Sequence, residues 1–320
     1  MQNINFKIIS INTRRDFLKK TIIGGLIIVT TGIFGCLEQK AEKNDDAQIT
    51  AEPIRVIIFG AHPDDCEWSA GGIAMLYTQM GHKVKYVSLT NGNKGHHLMK
   101  SDELAARRSS ETQEVARILG VEYEILNNAD GELMPTLENR FAVIQMICDW
   151  EADIVITHRT NDYHPDHRNT GIIVQDAAYM ISVPLMNPEG KPLRKPTVFL
   201  YMSDDFQKPT PFSPDIVIDI TSVAEKKADA VCANVSQMYE WMPWIEGWEN
   251  ELPSNPAEWR QFVGDRFLTL SKVDKFRKSA SKWYSSAQLK NIRYVEAFEI
   301  CEYGSIPDKE EIKRLFPMLP

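Results

Sequence analysis

Two short clusters of histidine and aspartate contain residues of this chain that could do chemistry. Residues 62–65 read His-Pro-Asp-Asp, and residues 164–167 read His-Pro-Asp-His. Imidazole and carboxylate groups at this spacing are the ligands of a catalytic zinc or similar divalent ion, and the set leaves one carboxylate for proton transfer. Either cluster alone could be a surface turn with satisfied hydrogen bonds, but the two together indicate a metal-dependent hydrolase.

The elements around the clusters alternate regularly between strands and helices. Short apolar runs that end at turn residues predict strands, and apolar residues at helical spacing predict the helices between them. The predicted strands are residues 55–59, 83–89, 123–126 and 153–157, and the predicted helices are residues 69–80, 104–119, 138–150 and 169–180. This alternation predicts a Rossmann-like α/β fold, with a mostly parallel sheet and helices on both of its faces.

The pattern is looser in the later part of the chain. Residues 197–202 and 215–220 read as two more strands, and helical spacing dominates from residue 223 onward. We therefore expect a helical C-terminal extension to the sheet rather than a second domain.

The predicted sheet should bring the two clusters together. Open parallel sheets bind ligands in the crevice beyond the carboxyl ends of their strands. Residues 62–65 directly follow the first predicted strand, and residues 164–167 lie shortly after the fourth. Both clusters should therefore open onto the same edge of the sheet and form one site.

Several further motifs accompany the clusters between residues 54 and 237. They are Ala61 to Glu67 with Gly71 and Gly72, Leu89 to Gly92, Arg108 with Glu111, Leu119 with Gly120, Asp219 to Thr221, Lys226 or Lys227, and Ser236 with Gln237. In this combination the chain resembles the PIG-L or LmbE-like de-N-acetylases, typified by the N-acetylglucosaminyl-phosphatidylinositol, mycothiol and bacillithiol deacetylases. The resemblance covers nearly all of residues 54–237.

The resemblance implies a role for each residue of the two clusters. It makes His62, Asp65 and His167 the metal ligands and Asp64 the general base, and it makes His164 the residue that steadies the oxyanion or protonates the leaving amine. Spacing alone leaves open which histidine of the second cluster binds the ion. The ligand set suits zinc (Zn2+), and ferrous iron (Fe2+) is also possible.

Other polar residues are candidates for supporting roles. We expect Asp166 to hold the imidazole of His164 in its charged form, as a carboxylate orients a catalytic histidine. Arg108, Asn91 and Gln237 are candidate substrate contacts, although an arginine on a helix more often forms a surface ion pair.

Four features nearby allow both a functional and a purely structural interpretation. Glu67 could hydrogen-bond the ligand loop or His62, or face solvent. His96 and His97 read as loop residues that could line the site. Residues 239–262 carry four tryptophans that could form a lid or sugar subsite, or could simply pack the helical tail onto the sheet. Asn234 stands where the family often has a histidine, which bears on the leaving-group side of the pocket.

The first 53 residues read as a targeting segment rather than as part of the fold. Arg14 and Arg15 resemble a twin-arginine export signal, and the apolar stretch 22–34 is shorter than the about 20 residues that span a bilayer. It ends at Cys36 in a box like that of a lipoprotein. We expect residues 1–36 to be the export signal, residues 37–53 a flexible tether and residues 54–320 the enzymatic domain.

An exported bacterial lipoprotein would face the periplasm or cell envelope and contact the membrane through its lipid anchor. An uncleaved anchor and a signal cleaved elsewhere are the alternatives. The formal net charge of −8 argues against a nucleic-acid partner.

The sequence therefore predicts an enzyme that removes an acetyl group from the nitrogen of an amino sugar or glycoconjugate, with an N-acetylglucosamine-type substrate. One alternative is an amidase for another amide, such as a thiol conjugate. The other is a carbohydrate-binding lipoprotein without turnover. The complete set of cluster residues speaks against the second, because binding alone needs no free base beside a metal.

Overall fold

The structure, a computed structural model, describes residues 52–187 and 190–320. The predicted export signal, with Cys36, lies outside these residues, and so does the predicted tether up to residue 51. The described residues belong to one compact unit. Among them, no helix combines the length and the apolar character needed to cross a membrane.

A seven-stranded mixed sheet lies at the centre of the described residues. Its strands are β1 (Arg55–Gly60), β2 (Lys83–Thr90), β3 (Glu122–Asn128), β4 (Ile154–Thr157), β5 (Val198–Met202), β6 (Ile216–Asp219) and β7 (Val295–Ile300). Their order is β3-β2-β1-β4-β5-β7-β6. The strands from β3 to β5 in this order run parallel, and β7 runs antiparallel to both of its neighbours. The predicted mostly parallel α/β sheet is confirmed.

Helices cover both faces of this sheet. They are α1 (Asp65–Gln79), α2 (Ser101–Leu119), α3 (Leu137–Asp149), α4 (Pro165–Met180), α5 (Ala224–Cys232), α6 (Met242–Glu246), α7 (Trp259–Leu268), α8 (Arg277–Ala280), α9 (Ser286–Leu289) and α10 (Lys309–Leu315). A π-helical turn, Ser236–Trp241, leads into α6. Most of these helices follow β6, as the predicted C-terminal extension requires.

The central strand β1 shows why the sequence folds into these layers. Its residues Val56, Ile57, Ile58 and Phe59 are all fully buried, as expected for a strand covered on both faces. Side chains alternate across a strand, so Val56 and Ile58 pack in one cluster with residues of α1 and α2. Ile57 and Phe59 pack in a second cluster with residues of α3 and α4.

Strand β7 is not among the predicted strands, because the prediction from residue 223 onward was for dominant helices. It inserts between β5 and β6 and pairs Phe298 with Ile216 on one side and Ile300 with Leu200 on the other. The apolar run of β7 is interrupted by Glu296, which is nonetheless 3% exposed. A buried carboxylate needs partners from other elements, and the local sequence pattern does not reveal them.

Both histidine-aspartate clusters lie at helix starts, earlier than the predicted helix boundaries. Helix α1 begins at Asp65 and α4 begins at Pro165. Proline suits the first turn of a helix because no intrahelical acceptor awaits its missing N–H. His164 caps α4, since its Nδ1 accepts a hydrogen bond from the Asp166 N–H at 3.2 Å. The helix starts therefore fix the backbone of the cluster residues.

Candidate metal centre

The adjacent strands β1 and β4 deliver the two clusters to one point. Phe59 pairs with Thr157 at the carboxyl ends of these strands, so the loops that follow begin side by side. His62 lies in the loop after β1, Asp65 opens α1, and His167 lies in the first turn of α4. The structure thus brings together the three residues that the resemblance implies as ligands.

The ligand atoms of these three side chains converge. His62 Nδ1 lies 3.2 Å from His167 Nε2. His167 Nε2 lies 3.4 Å from Asp65 Oδ1, and His62 Nδ1 lies 3.6 Å from Asp65 Oδ2. Ligand atoms bound tetrahedrally to zinc at about 2.0–2.1 Å lie roughly 3.3–3.4 Å from one another. The separations therefore fit one small divalent cation, and the two imidazoles and one carboxylate are a known three-ligand set for catalytic zinc.

The second cluster supplies two histidines near this point. His62, His164 and His167 form one group of atoms that could hold an ion, and Asp65, His158 and His167 form another. Of the two histidines in the second cluster, His167 also lies beside Asp65, so it completes the set described above. His164 is left as the half-buried imidazole at the edge of the centre, with its ring 4.5 Å from that of His62 and perpendicular to it.

Both candidate histidine ligands have a carboxylate on their other ring nitrogen. His62 Nε2 lies 3.2 Å from Asp130 Oδ1 and 3.3 Å from Asp166 Oδ2. His167 Nδ1 lies 3.2 Å from Asp162 Oδ1. Metal-binding histidines almost always have such partners, because a hydrogen bond on one nitrogen orients the ring and frees the other nitrogen for the ion. The arrangement therefore has the features of a site that could hold a metal ion.

The position of Asp166 corrects the expectation that its carboxylate holds His164. That carboxylate contacts His62 and accepts hydrogen bonds from the N–H groups of Gly131 and Leu133, at 2.6 and 3.2 Å. Only the backbone N–H of Asp166 reaches His164. Asp166 is thus a partner of a candidate ligand, and its amide fixes the ring of His164.

Asp130, Asp162 and His158 belong to the site but escaped the sequence analysis. His158 directly follows β4, lies 3.2 Å from Asp65 Oδ2 and stacks on His167 with a centroid distance of 4.2 Å. Its position immediately after a strand, like that of the first cluster, is a signal that could have identified it. Asp130 and Asp162 lie in irregular loops, and no motif marks them.

The site concentrates negative charge around its imidazoles. Burial lowers the pKa of His62, but hydrogen bonds to surrounding carboxylates, that of Asp130 first, outweigh burial and raise this pKa well above its ordinary value. Burial raises the pKa of Asp65, but the charges of the neighbouring His167 and His158 outweigh burial and hold this pKa well below its usual range. Carboxylates that draw a proton onto a buried imidazole also favour binding of a cation.

Asp64 lies beside the candidate ligands and is held by Arg108. Its Oδ2 forms a 2.9 Å ion pair with Arg108 Nη2, and its backbone has a φ of 157°, which residues other than glycine rarely adopt. Burial raises the pKa of Asp64 to about 6, against the opposing charge of Arg108. A carboxylate with a pKa close to neutral pH suits a general base.

Arg108 is a positioning residue in the structure rather than the predicted substrate contact. It is 2% exposed, and besides Asp64 it donates to the carbonyl oxygen of Pro63 at 2.6 Å. It packs closely on Gly92, where an added Cβ would lie 2.4 Å from Arg108 Nη1. Glycine at this position, with a φ of +64°, allows the guanidinium to reach the base.

The other two candidate substrate contacts support loops around the site. Asn91 donates to Asn127 Oδ1 at 3.2 Å, and the Nε2 of Gln237 donates to the carbonyl oxygen of Gly95 at 3.1 Å. Gln237 is 3% exposed. Substrate binding by Asn91 and Gln237 stays a prediction.

Glu67 and Asn234 form a buried pair behind the site. Asn234 Nδ2 donates to Glu67 Oε1 at 2.7 Å, and the hydroxyl of Tyr123 donates to Glu67 Oε2 at 3.3 Å. Burial raises the pKa of Glu67 to about 8. Glu67 therefore neither faces solvent nor holds His62. Asn234 is fully buried, so its side chain does not line the leaving-group side of the pocket.

Comparisons with known proteins identify relatives of this chain. Residues 57–178 match the model of the PIG-L (GlcNAc-PI de-N-acetylase) family. The chain is 30% identical over 207 residues to the diacetylchitobiose deacetylase of Thermococcus kodakarensis, an alignment that covers 60% of this chain and 74% of that protein. It is 24% identical over 193 residues to a 4-oxalmesaconate hydratase of Pseudomonas putida, covering 58% and 74%.

The fold agrees as well. The structure of the N,N′-diacetylchitobiose deacetylase from Pyrococcus horikoshii superimposes with a TM-score of 0.60 and 24% identity, covering 79% of this chain and 85% of that one. The predicted family and enzyme class are confirmed: the chain belongs to the PIG-L family of de-N-acetylases, hydrolases that act on amide C–N bonds.

Proposed function

We propose that this enzyme removes the acetyl group from the nitrogen of an amino sugar or glycoconjugate, using a divalent cation held by His62, Asp65 and His167. Zinc suits the donor set best, and ferrous iron is the alternative. The observation that carries the proposal is the convergence of three candidate ligand side chains beside Asp64, a carboxylate that Arg108 orients. The deacetylases among the relatives support the substrate class.

Proton acceptance is the task of Asp64 in this reaction. When bound, the cation would supply a Lewis acid that polarises the amide carbonyl and lowers the pKa of water. Asp64 takes a proton from the attacking water as the new C–O bond forms. The same proton can then pass to the amide nitrogen as the C–N bond breaks, so that water and the amide yield acetate and a free amine.

In this proposal His164 acts on the oxygen of the reacting amide. Burial and the charges of His62 and His167 lower its pKa, which favours the neutral imidazole. Its Nδ1 accepts the Asp166 N–H, and a neutral imidazole with one accepting nitrogen carries its proton on the other. His164 Nε2 therefore offers a hydrogen bond to the developing oxyanion, and the proton for the leaving amine is the one that Asp64 has accepted.

Acetate release tests this proposal directly. The purified protein should release acetate from members of a panel of N-acetylated sugars, and a chelator should abolish the release until zinc is added back. Hydrolysis of thiol-conjugate amides, but not of sugars, would favour the alternative amidase. Binding of the sugars without acetate release from any of them would overturn the proposal in favour of a binding protein.

We also propose that the enzyme is exported and tethered through Cys36. The paired Arg14 and Arg15, the short apolar stretch 22–34 and the polar segment that follows support this location. In a bacterial host, the wild-type protein should fractionate with the membrane and carry lipid. Cys36→Ala should move to the soluble fraction, and an unchanged membrane fraction would contradict the lipid anchor.

A further inference from the structure

Four aromatic side chains form a stack close to the metal centre, which we name the aromatic stack: His96, His97, Trp241 and Trp244. The rings of His96 and His97 are 4.9 Å apart, with an interplanar angle of 14°. The ring of His97 is 4.7 Å from that of Trp244, with an angle of 3°. Trp241 lies beside Trp244 at 5.3 Å. One face of the Trp244 indole is thus covered by another ring.

Ion pairs hold the inner end of the aromatic stack in place. Arg107 donates to both carboxylate oxygens of Glu240, at 2.8 and 2.5 Å, and Glu240 Oε2 lies 3.0 Å from His96 Nε2. The N–H groups of Leu98 and Met99 donate to His96 Nδ1 at 3.1 and 3.2 Å. Both nitrogens of His96 are therefore engaged by the protein, and its ring is a fixed support for the rings above it.

The aromatic stack begins at the wall of the metal centre. The carbonyl oxygen of Gly95 accepts from Gln237, and a Cβ on Gly95 would lie 3.5 Å from Asp130 Oδ2, in the carboxylate that holds His62. His97 is two residues further along the chain, a reach of at most about 7 Å. This reach limits how far the His97 ring can lie from the wall of the centre.

The exposure of Trp244 sets it apart from the tryptophan that packs the same region. Trp248 is 5% exposed and lies in an apolar cluster, as a packing residue should. Trp244 is 46% exposed although His97 covers one face of its ring. A large aromatic ring that is covered on one face and exposed elsewhere contributes little to the stability of the fold. Such rings are typical of surfaces that bind another flat apolar face.

We propose that the aromatic stack is a saccharide subsite, in which Trp244 stacks against the pyranose ring next to the one whose acetamido group is hydrolysed. This inference rests on the proposed deacetylation of amino sugars and narrows the substrate to saccharides of two or more rings. The apolar C–H face of a pyranose matches an indole face in size and polarity. Tyr163 is a second exposed aromatic residue at the centre, with 71% exposure and its ring 5.5 Å from that of His167.

Binding of one-ring and two-ring ligands tests the subsite without turnover. The probes are N-acetylglucosamine and N,N′-diacetylchitobiose, titrated calorimetrically into the zinc-loaded full chain that carries Asp64→Asn. Adding Trp244→Ala should weaken the binding affinity for the disaccharide about tenfold and change the affinity for the monosaccharide less than twofold. Trp244→Phe should retain most of the disaccharide affinity, because an aromatic face remains.

Tyr303→Ala is the matched control, since Tyr303 is an exposed aromatic residue, 63% exposed, beyond the strand β7. It should leave both affinities unchanged. An equal effect of Trp244→Ala on both ligands, no effect on either, or no measurable binding of the disaccharide would each overturn the subsite. Acetate release is measured separately, with the protein that carries native Asp64. If acetate is released but Trp244→Ala does not change disaccharide binding, the deacetylase activity stands and the subsite is rejected. If Trp244→Ala weakens disaccharide binding but no sugar releases acetate, the subsite stands and the deacetylase activity is rejected.

Discussion

The ammonium group of Lys227 on α5 lies 2.7 Å from Glu296 Oε1 on β7, and both side chains are at most 2% exposed. The same carboxylate accepts hydrogen bonds from the N–H groups of Gly72 and Ile73, at 2.8 and 2.7 Å. Helix α1 departs from helical geometry at Ala70, which frees these amides from intrahelical partners. The buried ion pair therefore holds the kinked helix that begins with a candidate metal ligand.

Replacement of Lys227 should destabilise the protein strongly. Lys227→Met leaves the carboxylate of Glu296 buried without its charged partner, and breaking a buried pair in this way costs about 3–5 kcal/mol. Equilibrium unfolding in urea measures the change in the free energy of unfolding. The neighbouring Lys226→Met is the control, because the Lys226 side chain is 65% exposed and its loss should change this free energy by about 0.5 kcal/mol or less. Equal effects of the two variants would contradict the structural role of the pair.

Substitutions of Asp64 and His167 should distinguish the residue that acts in catalysis from the one that binds the metal. Asp64→Asn should retain bound metal and lose acetate release by about 10²- to 10⁴-fold, because only the proton acceptor is removed. His167→Ala should lose the metal itself. Elemental analysis of the purified variants, together with the acetate assay, distinguishes the roles. Loss of metal in Asp64→Asn would show that this carboxylate is a ligand instead.

The carboxylate behind a candidate ligand should tune metal affinity. Asp162→Asn removes the charged acceptor from His167 Nδ1, and loss of such a partner typically weakens metal binding roughly 10- to 100-fold. Competition with a chromogenic chelator measures this affinity. Asp176→Asn, on the same helix as His167 but paired with Arg140, is the control and should leave the affinity unchanged. A similar affinity for Asp162→Asn and wild type would argue against His167 as a ligand.

The sequence predicted the first half of the fold well because its strands are buried on both faces. A short continuous apolar run such as residues 56–59, bounded by turn residues, is typical of a strand buried on both faces. Strand β7 was missed because Glu296 interrupts the pattern, and its burial depends on Lys227 and on amides of α1. Those partners meet only in the tertiary structure.

The candidate site shows the same division. His62 and His167 belong to compact motifs, whereas Asp130 and Asp162 are single acidic residues in loops, a common feature of any soluble chain. Their role follows from contact with a histidine ring nitrogen, and the spacing of residues along the sequence does not predict that contact. Arg108 was assigned to substrate because its charge was visible in the sequence and its burial was not.

Arg108 should affect the catalytic rate more than substrate binding. Arg108→Met removes the ion pair that orients Asp64, and a small displacement of a catalytic group can cost roughly 100-fold in kcat. KM should stay within about threefold, since the guanidinium is buried away from solvent. Steady-state acetate release measures both constants. Arg117→Met, an exposed arginine on the same helix, should change neither. A large rise in KM with unchanged kcat would restore Arg108 as a substrate contact.

The buried carboxyl of Glu67 should make stability depend on pH. Its pKa is about 8 in the folded protein against an ordinary value of 4.5, so between these values the folded state holds a proton that the unfolded state has lost. The stability of the metal-free protein should therefore fall as pH rises from about 4.5 to about 8, and it should stay lower above that range. Glu67→Gln has no titrating group at this position, so its stability should lack this part of the pH dependence. Thermal unfolding of both proteins in chelator across this range measures it, and parallel pH profiles for the two proteins would show that Glu67 is ionised in the fold.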